Sequence, residues 1–332
     1  MKIGVIGSGS WGTALVKILQ DNEQNVIWCV RNQKMAEHIQ LRHHNPKYLS
    51  SVYFSQNHLS VTTDPGLVFA QADVVVLAVP SAYVTSYLKD HQEVIITRSI
   101  KIVSAVKGIL PDTNMLLNEY LDGWASFDQK NYFTIMGPCH AEEVAAEKLS
   151  YLTFAGLDQA QTAILAAAFK TSYINTVVSA DVLGVQYAAV LKNIYALGTG
   201  IAHGLGYGDN FQSVLVANAA GEMKRFLNAI REGMGQTIDH AASVYLGDLL
   251  VTCYSLFSRN RAFGNMIGKG YSVDAARLTM QMVAEGLPAA KCIYEINTNA
   301  GADMPIARAI YRVLWEGVDT ATAFEQLESA LC

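Results

Sequence analysis

The chain of 332 residues is longer than a single hydrophobic core usually serves, which predicts two domains. Apolar residues make up 51% of the chain and charged residues 16%, a balance that excludes an intrinsically disordered protein. The formal net charge of −5 excludes the basic surface that follows a nucleic-acid backbone, so we expect no nucleic-acid partner.

The first half of the chain alternates short apolar runs with stretches of helical period. Apolar runs separated by helices predict a doubly wound, mostly parallel sheet with helices on both faces, so the fold class is α/β. The predicted strands are residues 2–6, 26–30, 72–79, 102–106 and 133–136, and the predicted helices include residues 11–20 and 142–148.

From about Asp181 the chain becomes rich in Ala, Leu and Met that recur with helical period. No obvious strand follows, which predicts an all-helical second domain. Glycine-containing segments at 204–209 and 268–272 separate long helices from their neighbours. We therefore divide the chain into a first domain of residues 1–180 and a second domain of residues 181–332.

The first predicted strand runs into the sequence GSGSWG, in which Gly7, Gly9 and Gly12 form a G-x-G-x-x-G pattern. Between a strand and a helix, Gly7 permits the tight turn and Gly9 allows close approach of a pyrophosphate, while Gly12 lets the helix lie near the strand. The helix N-terminus offers N–H groups and partial positive charge to the phosphates. The pattern predicts a Rossmann-like dinucleotide site; the alternative is a plain strand-to-helix turn with structural glycines.

The end of the second predicted strand indicates which dinucleotide is preferred. NAD-selective sites place an acidic residue there, about 20 residues beyond the glycines, to bind the adenosine ribose hydroxyls. This chain has Val30-Arg31-Asn32 at that point, whereas Asp21 and Glu23 lie at the opposite end of the strand. Arg31 suits a 2′-phosphate, so the sequence favours NADP (NADPH) over NAD; the alternative is that Arg31 is a solvated loop residue.

A lysine interrupts a helical segment that is apolar on nearly every face. Lys192 lies within residues 185–202 and shares a helical stripe with Val185, Ala188 and Ala196. A lysine in that position is paired, extends to solvent or lines a cavity. Because desolvation makes an ammonium group release its proton more readily, such a lysine suits acid–base catalysis. Lys192 is the candidate acid/base, and a lysine that extends to the surface is the alternative.

Two polar clusters follow in the helical half. Asp248 is the one acid among apolar residues, and its alternative role is a helix cap. Ser258, Arg259, Asn260 and Arg261 bring hydroxyl, guanidinium and amide donors together. Such donors suit a phosphate, because guanidinium forks match its oxygens, although a solvated charged turn would have a similar composition. The sequence therefore predicts a small phosphorylated substrate.

Two segments of the first half follow predicted strands. Lys107 comes after residues 102–106, at the carboxyl end, where ligands bind in open α/β sheets. Gly137 and Cys139 belong to the sequence GPCHA, which follows residues 133–136. Glycine, proline and a small residue allow backbone N–H groups to face a ligand, so both segments are candidates for the same site.

These motifs, in this order, resemble the NAD(P)-dependent glycerol-3-phosphate dehydrogenases of the soluble, bacterial type. The resemblance runs nearly end to end, through GSGSWGTAL, SAVKGI, GPCHAEEVA, LKNIYA, GDLLVTCYS, SRNRAFG, VAEG and MPI. Related hydroxyacid dehydrogenases share the glycine turn and the lysine–asparagine helix but lack the SRNR block. The resemblance implies reversible oxidoreduction of sn-glycerol 3-phosphate and dihydroxyacetone phosphate, which supplies glycerol phosphate for phospholipid synthesis.

The resemblance also implies roles for individual residues. Lys192 would be the acid/base on the substrate's C2 oxygen, with Lys107 and Asp248 as further catalytic residues. The substrate would contact Lys107, Gly137, Cys139, Lys192, Asp248, Ser258, Arg259 and Asn260. The cofactor would contact Gly7, Gly9, Ser10, Trp11, Gly12, Arg31, Tyr48, Lys107, Ala141, Arg259, Val283 and Glu285.

Cys139 departs from the family pattern, in which serine or threonine usually occupies this position. A thiol is a weaker hydrogen-bond partner than a hydroxyl, so we expect modestly weaker substrate binding. Nucleophilic catalysis by this thiol is not expected, because hydride transfer does not call for a covalent intermediate.

Further expectations concern the surroundings of the protein. The five cysteines form no C-x-x-C pair, which predicts a reduced, cytoplasmic protein. No apolar run reaches the roughly 18 residues of a membrane span, and no histidine cluster has metal-ligand spacing, so we expect neither membrane insertion nor a metal. The Leu- and Met-rich second domain permits a homodimer without requiring one.

Two other functions fit parts of the pattern. A 2- or 3-hydroxyacid dehydrogenase of the same two-domain plan would need a carboxylate site in place of the phosphate site. A regulatory protein that binds a dinucleotide without turnover would need neither, but no basic face or DNA-binding helix pair supports it.

Overall fold

The computed structural model describes residues 1–231, 239–280 and 284–331. The chain forms two units, Met1–Val106 with Met115–Leu183, and Lys107–Asn114 with Gly184–Cys332. The sequence division at residue 180 places Lys107–Asn114 in the first domain, whereas the structure groups this segment with the second unit. The physical reason is hydrogen bonding, because Asn114 Nδ2 donates to Glu295 Oε2 at 2.5 Å within that unit.

The first unit is built on an eight-stranded sheet with the strand order β3-β2-β1-β4-β5-β6-β7-β8. All neighbours are parallel except β6 and β7. The doubly wound, mostly parallel α/β sheet predicted from the sequence is therefore confirmed. The strands are β1 Lys2–Ile6, β2 Asn25–Cys29, β3 Leu59–Thr62, β4 Val74–Leu77, β5 Lys101–Ser104, β6 Tyr132–Met136, β7 Ser150–Gly156 and β8 Ile174–Ser179.

Three of these strands, β3, β7 and β8, were not predicted from the sequence. Central parallel strands are buried on both faces and appear as continuous apolar runs, as in β4 (VVVL), which is fully buried. β3 and β8 lie at the two edges of the sheet. β3 alternates apolar with polar residues, β8 (INTVVS) mixes them without alternation, and β7 contains serine, tyrosine and threonine. Their partly polar sequences lack the signal on which the strand predictions depended.

Helices connect the strands and cover the sheet of the first unit. The first of them buries Ala14, Leu15 and Leu19 against Ile3 and Trp28 of the neighbouring strands. The helices are α1 Ser10–Asp21, α2 Gln33–Arg42, α3 Pro65–Gln71, α4 Ser81–Lys89, α5 Gln92–Thr97, α6 Leu117–Asp122, α7 Ala141–Ala145 and α8 Gln159–Ala168, and Gln129–Asn131 is a 3₁₀ turn.

From Gly184 onward, every regular element among the described residues of the second unit is a helix, as the sequence predicted. Its longest helix is buried from Gly184 to Ala202. No helix in the described part of the chain has the length and hydropathy of a membrane span. The helices are α9 Val182–Gly204, α10 Asp209–Ala229, α11 Asp248–Tyr254, α12 Arg259–Gly268, α13 Val273–Thr279, α14 Gly286–Ala300, α15 Pro305–Trp315 and α16 Thr320–Glu328, and Ser243–Gly247 is π-helical.

Glycines bring α9 and α12 together backbone to backbone. A β-carbon on Gly264 would collide with the Leu197 carbonyl, and one on Gly200 would collide with the Arg261 carbonyl. Because only glycine allows this approach, the two helices cross with almost no side chain between them. The crossing places the beginning of α12 close to the middle of α9, and this decides which polar groups meet in the second unit.

Glu222 of α10 ties that helix to the start of α15. Its two carboxylate oxygens accept hydrogen bonds from the Ile306 and Ala307 N–H groups at 2.8 and 2.9 Å. The side chain is fully buried. Burial raises the pKa of Glu222 to about 7, although the hydrogen bonds from the two backbone N–H groups act in the opposite direction and lower it.

This raised pKa predicts that the fold loses stability as the pH rises. The folded-state pKa of Glu222 lies above the ordinary glutamate value, so the buried carboxyl group stabilises the fold in its protonated form. This contribution to the free energy of unfolding is fully present below about pH 4.5 and is lost as the pH rises through about 7. The loss reaches about 3 kcal/mol of unfolding free energy. Urea unfolding between pH 4.5 and 7.5 should show this slope, and Glu222→Gln should remove it; the same slope in both proteins would contradict the assignment.

Candidate active site

The glycine turn after β1 is tightly packed at Gly7 and Gly12 and open at Gly9. Gly7 follows β1 with φ +127°, a conformation that side-chain-bearing residues rarely adopt. A β-carbon on Gly12 would collide with the Gly7 carbonyl, so Gly12 allows α1 to approach the turn. At Gly9, by contrast, a β-carbon would meet nothing within 4 Å. The turn is thus closed towards the protein and open at Gly9, where a phosphate would approach.

Other cofactor candidates of the first unit lie around this turn. Ser10 and Trp11 are the first residues of α1. The backbone N–H of Arg31 donates to Ser8 Oγ at 3.2 Å, and its side chain is exposed. Tyr48 is half-buried, and its N–H donates to Asn45 Oδ1 at 3.2 Å. The segment after β2 and the segment after α2 are therefore both joined to the glycine turn.

The GPCHA segment forms a second glycine turn, between β6 and α7. Gly137 has φ +131°, and a β-carbon there would lie 2.6 Å from the Tyr151 carbonyl oxygen. The buried Cys139 thiol donates to the same oxygen at 3.1 Å. Ala141, the cofactor candidate of this segment, is the first residue of α7 and is buried. The thiol is thus engaged with β7.

The buried lysine of α9 is paired with a buried aspartate. Lys192 Nζ donates to Asp248 Oδ1, and the two residues are only 3% and 1% exposed. The alternatives for both residues are wrong: the lysine does not extend to solvent, and Asp248, the first residue of α11, points its carboxylate at the lysine. Within the described residues, the buried Asp248 Oδ2 has no hydrogen-bond partner. A buried acceptor is costly to leave unpaired, so it is suited to a ligand donor.

A chain of amide hydrogen bonds begins at Asn193, the residue after Lys192 on α9. Asn193 Nδ2 donates to the Lys107 carbonyl at 2.9 Å, and Asn193 Oδ1 accepts from Asn260 Nδ2 at 2.9 Å. Asn260 Oδ1 in turn accepts from the Gly286 N–H at 2.9 Å. We call these four residues, Lys107, Asn193, Asn260 and Gly286, the amide relay. The relay connects the segment that carries Lys107 with α9, α12 and the start of α14.

The SRNR block begins α12 and has mixed exposure. Ser258 is the buried N-cap, and its Oγ accepts from the Arg261 N–H at 3.3 Å. Arg259 is the first residue of the helix and is exposed. Asn260 points inward to the relay. A solvated turn therefore describes Arg259 but not its two neighbours, which are held in place by the helix cap and the relay.

The predicted site residues divide between the two units. The second unit brings together Lys107, Lys192, Asp248 and the SRNR block, and Glu285 is the N-cap residue of α14, next to Gly286 of the relay. Val283 lies outside the described residues. Among the described residues, no group of three or more His, Cys, Asp and Glu side chains is arranged to hold a metal ion.

Asn193 is a candidate site residue that was not predicted from the sequence. The signal that could have identified Asn193 is its place beside Lys192 on a helix that is apolar on nearly every face. A buried amide is costly unless it is hydrogen-bonded, so its presence there indicates polar partners. Asn193 is buried and bonded on both sides, so it joins the segment that carries Lys107 to Asn260 of α12.

The relay predicts an asymmetric response to two substitutions on α12. Asn260→Ala leaves Asn193 Oδ1 and the Gly286 N–H without their partner, which should cost about 1–3 kcal/mol of unfolding free energy. Asn265→Ala is the matched control, because Asn265 Oδ1 is buried with no partner among the described residues and its loss should cost less. Urea unfolding measures both, and equal destabilisation would argue against the relay.

Comparisons with known proteins assign nearly the whole chain to one family. The family model for the NAD-dependent glycerol-3-phosphate dehydrogenase N-terminus matches residues 2–162, and the model for the C-terminus of the same family matches residues 181–325. The glycerol-3-phosphate dehydrogenase [NAD(P)+] of Latilactobacillus sakei is 34% identical, covering 98% of this chain and 96% of that protein. The corresponding Bacillus pumilus protein is 33% identical, covering 98% of this chain and 93% of that protein.

A solved structure extends the likeness to three dimensions. The glycerol-3-phosphate dehydrogenase from Coxiella burnetii superposes with a TM-score of 0.89 at 25% identity, covering 98% of both chains. Both family models, the two bacterial relatives and this fold agree with one another. The chain therefore belongs to the NAD-dependent glycerol-3-phosphate dehydrogenase family.

Proposed function

We propose that this protein catalyses the reversible NAD(P)-dependent interconversion of sn-glycerol 3-phosphate and dihydroxyacetone phosphate. The observation that carries the proposal is the buried Lys192–Asp248 pair, in which one carboxylate oxygen has no partner among the described residues. A buried ion pair is weak evidence for stability alone, because desolvation offsets much of the attraction. A catalytic role explains why the helix keeps a lysine where an apolar residue would pack.

Lys192 supplies the proton chemistry of the reaction. The bound cofactor supplies or accepts the hydride at the substrate's C2. As the ketone is reduced, negative charge develops on its oxygen; the Lys192 ammonium stabilises that charge and donates its proton to the oxygen. In the reverse direction the neutral amine accepts the hydroxyl proton. Asp248 holds the ammonium through Oδ1, and Oδ2 is available to accept a hydrogen bond from a substrate hydroxyl.

The SRNR block supplies the handle for the phosphate. Arg259 is exposed at the first turn of α12, where its guanidinium fork and the helix N-terminus both favour an anion. Ser258 adds a hydroxyl, and the relay engages Asn260 at both ends of its amide, which leaves one N–H of Nδ2 for a ligand. Binding energy at the phosphate orients C2 for reaction. A hydroxyacid dehydrogenase would need a carboxylate here.

In this proposal the remaining site residues follow the family pattern. Lys107, Gly137 and Cys139 contact the substrate, and Lys107 also contacts the cofactor. The glycine turn binds the pyrophosphate, with Tyr48, Ala141, Arg259 and Glu285 as further cofactor contacts. The open side of Gly9 and the left-handed Gly7 support this assignment.

We further propose a cytoplasmic enzyme that supplies glycerol phosphate for phospholipid synthesis. Four cysteines, Cys29, Cys139, Cys253 and Cys292, are free and buried, which suits a reducing compartment. Buried thiols of this kind form no disulfide framework.

The direct test of the function is the loss of the reduced cofactor's absorbance when dihydroxyacetone phosphate is added to the enzyme and NADPH. Turnover of this phosphorylated ketone, with little turnover of 2- or 3-oxo acids, supports the proposal. Preferential turnover of the oxo acids would favour the hydroxyacid dehydrogenase, and cofactor binding without turnover of either would favour a regulatory protein.

Replacing the lysine should remove proton transfer. Lys192→Met should lower kcat with dihydroxyacetone phosphate by about 10²–10⁴-fold, the usual contribution of an acid–base group. The variant leaves Asp248 buried without its cation, which costs about 3–5 kcal/mol of stability. Steady-state kinetics measure the loss of turnover, and urea unfolding measures the loss of stability.

The double variant Lys192→Met/Asp248→Asn separates the two effects. It removes the uncompensated charge, so it should recover much of the lost stability while kcat stays low. Near-normal kcat in either variant would rule out the role of Lys192.

The preference for NADP rests on Arg31. We propose that its exposed guanidinium binds the 2′-phosphate beside the glycine turn. Arg31→Ala should raise the KM for NADPH about 10-fold or more, because a charge-assisted hydrogen bond to phosphate is lost, and should leave the KM for NADH within about 2-fold. Paired kinetics with the two cofactors test this, and an equal change for both would contradict it.

A further inference from the structure

Three consecutive carbonyl oxygens of the glycine turn are bonded to side chains of the first unit. Trp28 Nε1 donates to the Gly7 oxygen at 2.8 Å, and Thr13 Oγ1 donates to the Gly9 oxygen at 2.9 Å. Between them, Asn45 Nδ2 donates to the Ser8 oxygen at 3.1 Å. All three donor residues are buried. The carbonyl oxygens of the turn are therefore held towards the protein.

This arrangement sets the polarity of the turn. The peptide bond is planar and trans, so the N–H of each peptide unit points away from its carbonyl oxygen. Holding the Ser8 oxygen inward directs the N–H of Gly9 the opposite way, and a β-carbon on Gly9 would meet nothing within 4 Å. An anion is attracted by outward N–H groups and repelled by outward carbonyl oxygens. The three donors thus prepare the turn for a phosphate.

Asn45 has the widest reach of the three. Its second Nδ2 hydrogen donates to Thr13 Oγ1 at 2.9 Å, and Oδ1 accepts from the N–H groups of Lys47 and Tyr48 at 3.0 and 3.2 Å. The side chain is fully buried. An amide has two donors and two acceptor positions, and here all four are used. One side chain therefore joins the Ser8 peptide to the segment that carries Tyr48.

We propose that Asn45 is a positioning residue for the dinucleotide pyrophosphate. It acts through the Ser8–Gly9 peptide, whose N–H it directs at the phosphate, and through Tyr48, whose backbone it fixes beside the turn. This proposal rests on the proposed function for one point only, which is that the ligand bound at the glycine turn is NAD(P). It assigns to Asn45 no contact with substrate and no part in proton transfer.

Asn45→Asp is the sharpest test because it keeps the shape of the side chain. Aspartate retains an oxygen for the Lys47 and Tyr48 N–H groups but places an acceptor against the Ser8 carbonyl in place of a donor. The Ser8–Gly9 peptide should then rotate away from the binding geometry. We expect the Kd for NADPH, measured by calorimetry without substrate, to rise about 10–100-fold, as the loss of a buried hydrogen bond implies.

The kinetic signature distinguishes positioning from general weakening of the fold. At saturating NADPH, kcat and the KM for dihydroxyacetone phosphate should stay within about 3-fold of the wild type. Thr162→Val is the matched control, because Thr162 is a fully buried threonine of the same unit whose hydroxyl donates to the Asp158 carbonyl at 2.6 Å, on α8. It should lower Tm to a similar degree and leave the Kd for NADPH unchanged.

Thr13→Val supplies a second, uncharged variant. It removes the hydroxyl that accepts from Asn45 and donates to the Gly9 oxygen, so the Kd for NADPH should rise about 3–10-fold. If Asn45→Asp fails to fold, the Thr13→Val result tests the proposal in its place. A wild-type Kd in folded Asn45→Asp, or an equal rise in the Thr162→Val control, would overturn the proposal.

The two proposals fail in different ways. Wild-type protein that binds NADPH but does not reduce dihydroxyacetone phosphate contradicts the proposed function and leaves the binding test of Asn45 in force. Active wild-type protein with unchanged binding in both the Asn45 and the Thr13 variants contradicts only the role of Asn45. Wild-type protein that binds neither NADPH nor NADH contradicts both.

Discussion

The buried pair of Lys192 and Asp248 is the interaction on which the proposed chemistry of the protein depends. Two charges removed from water are costly, and their attraction offsets the cost only where the geometry is held rigidly. Here α9 is buried from Gly184 to Ala202, and its Asn193 is hydrogen-bonded to Lys107 and Asn260. One Asp248 oxygen has no partner among the described residues, so it is suited to accept a hydrogen bond from a ligand.

The packing of small residues explains how this cluster is assembled. Gly200 and Gly264 let α9 and α12 meet without side chains between them, which carries Asn260 to within hydrogen-bond distance of Asn193. The same crossing leaves Arg259 exposed at the first turn of α12 while Asn260 points inward. One helix end thus exposes a guanidinium group and directs a hydrogen-bonded amide into the core.

The first unit uses hydrogen bonds for a related purpose at its glycine turn. Gly7 and Gly12 make room for the backbone, but they do not decide which way its dipoles point. Trp28, Thr13 and Asn45 decide that by engaging the carbonyl oxygens. In both units, therefore, buried polar side chains hold the candidate ligand-binding segments in place. Most of these side chains belong to no binding motif, so a motif search does not find them.

The sequence alone determined the α/β class, the central strands and the helical second half, because central strands and buried helices carry strong local periodicity. It also singled out Lys192, since a lysine on an apolar helix demands an explanation. Only the tertiary structure paired this lysine with Asp248, grouped Lys107–Asn114 with the second unit and engaged Asn45 with the glycine turn. The reason is physical: these partners lie far apart along the chain, and a hydrogen bond between distant residues leaves no mark on local periodicity.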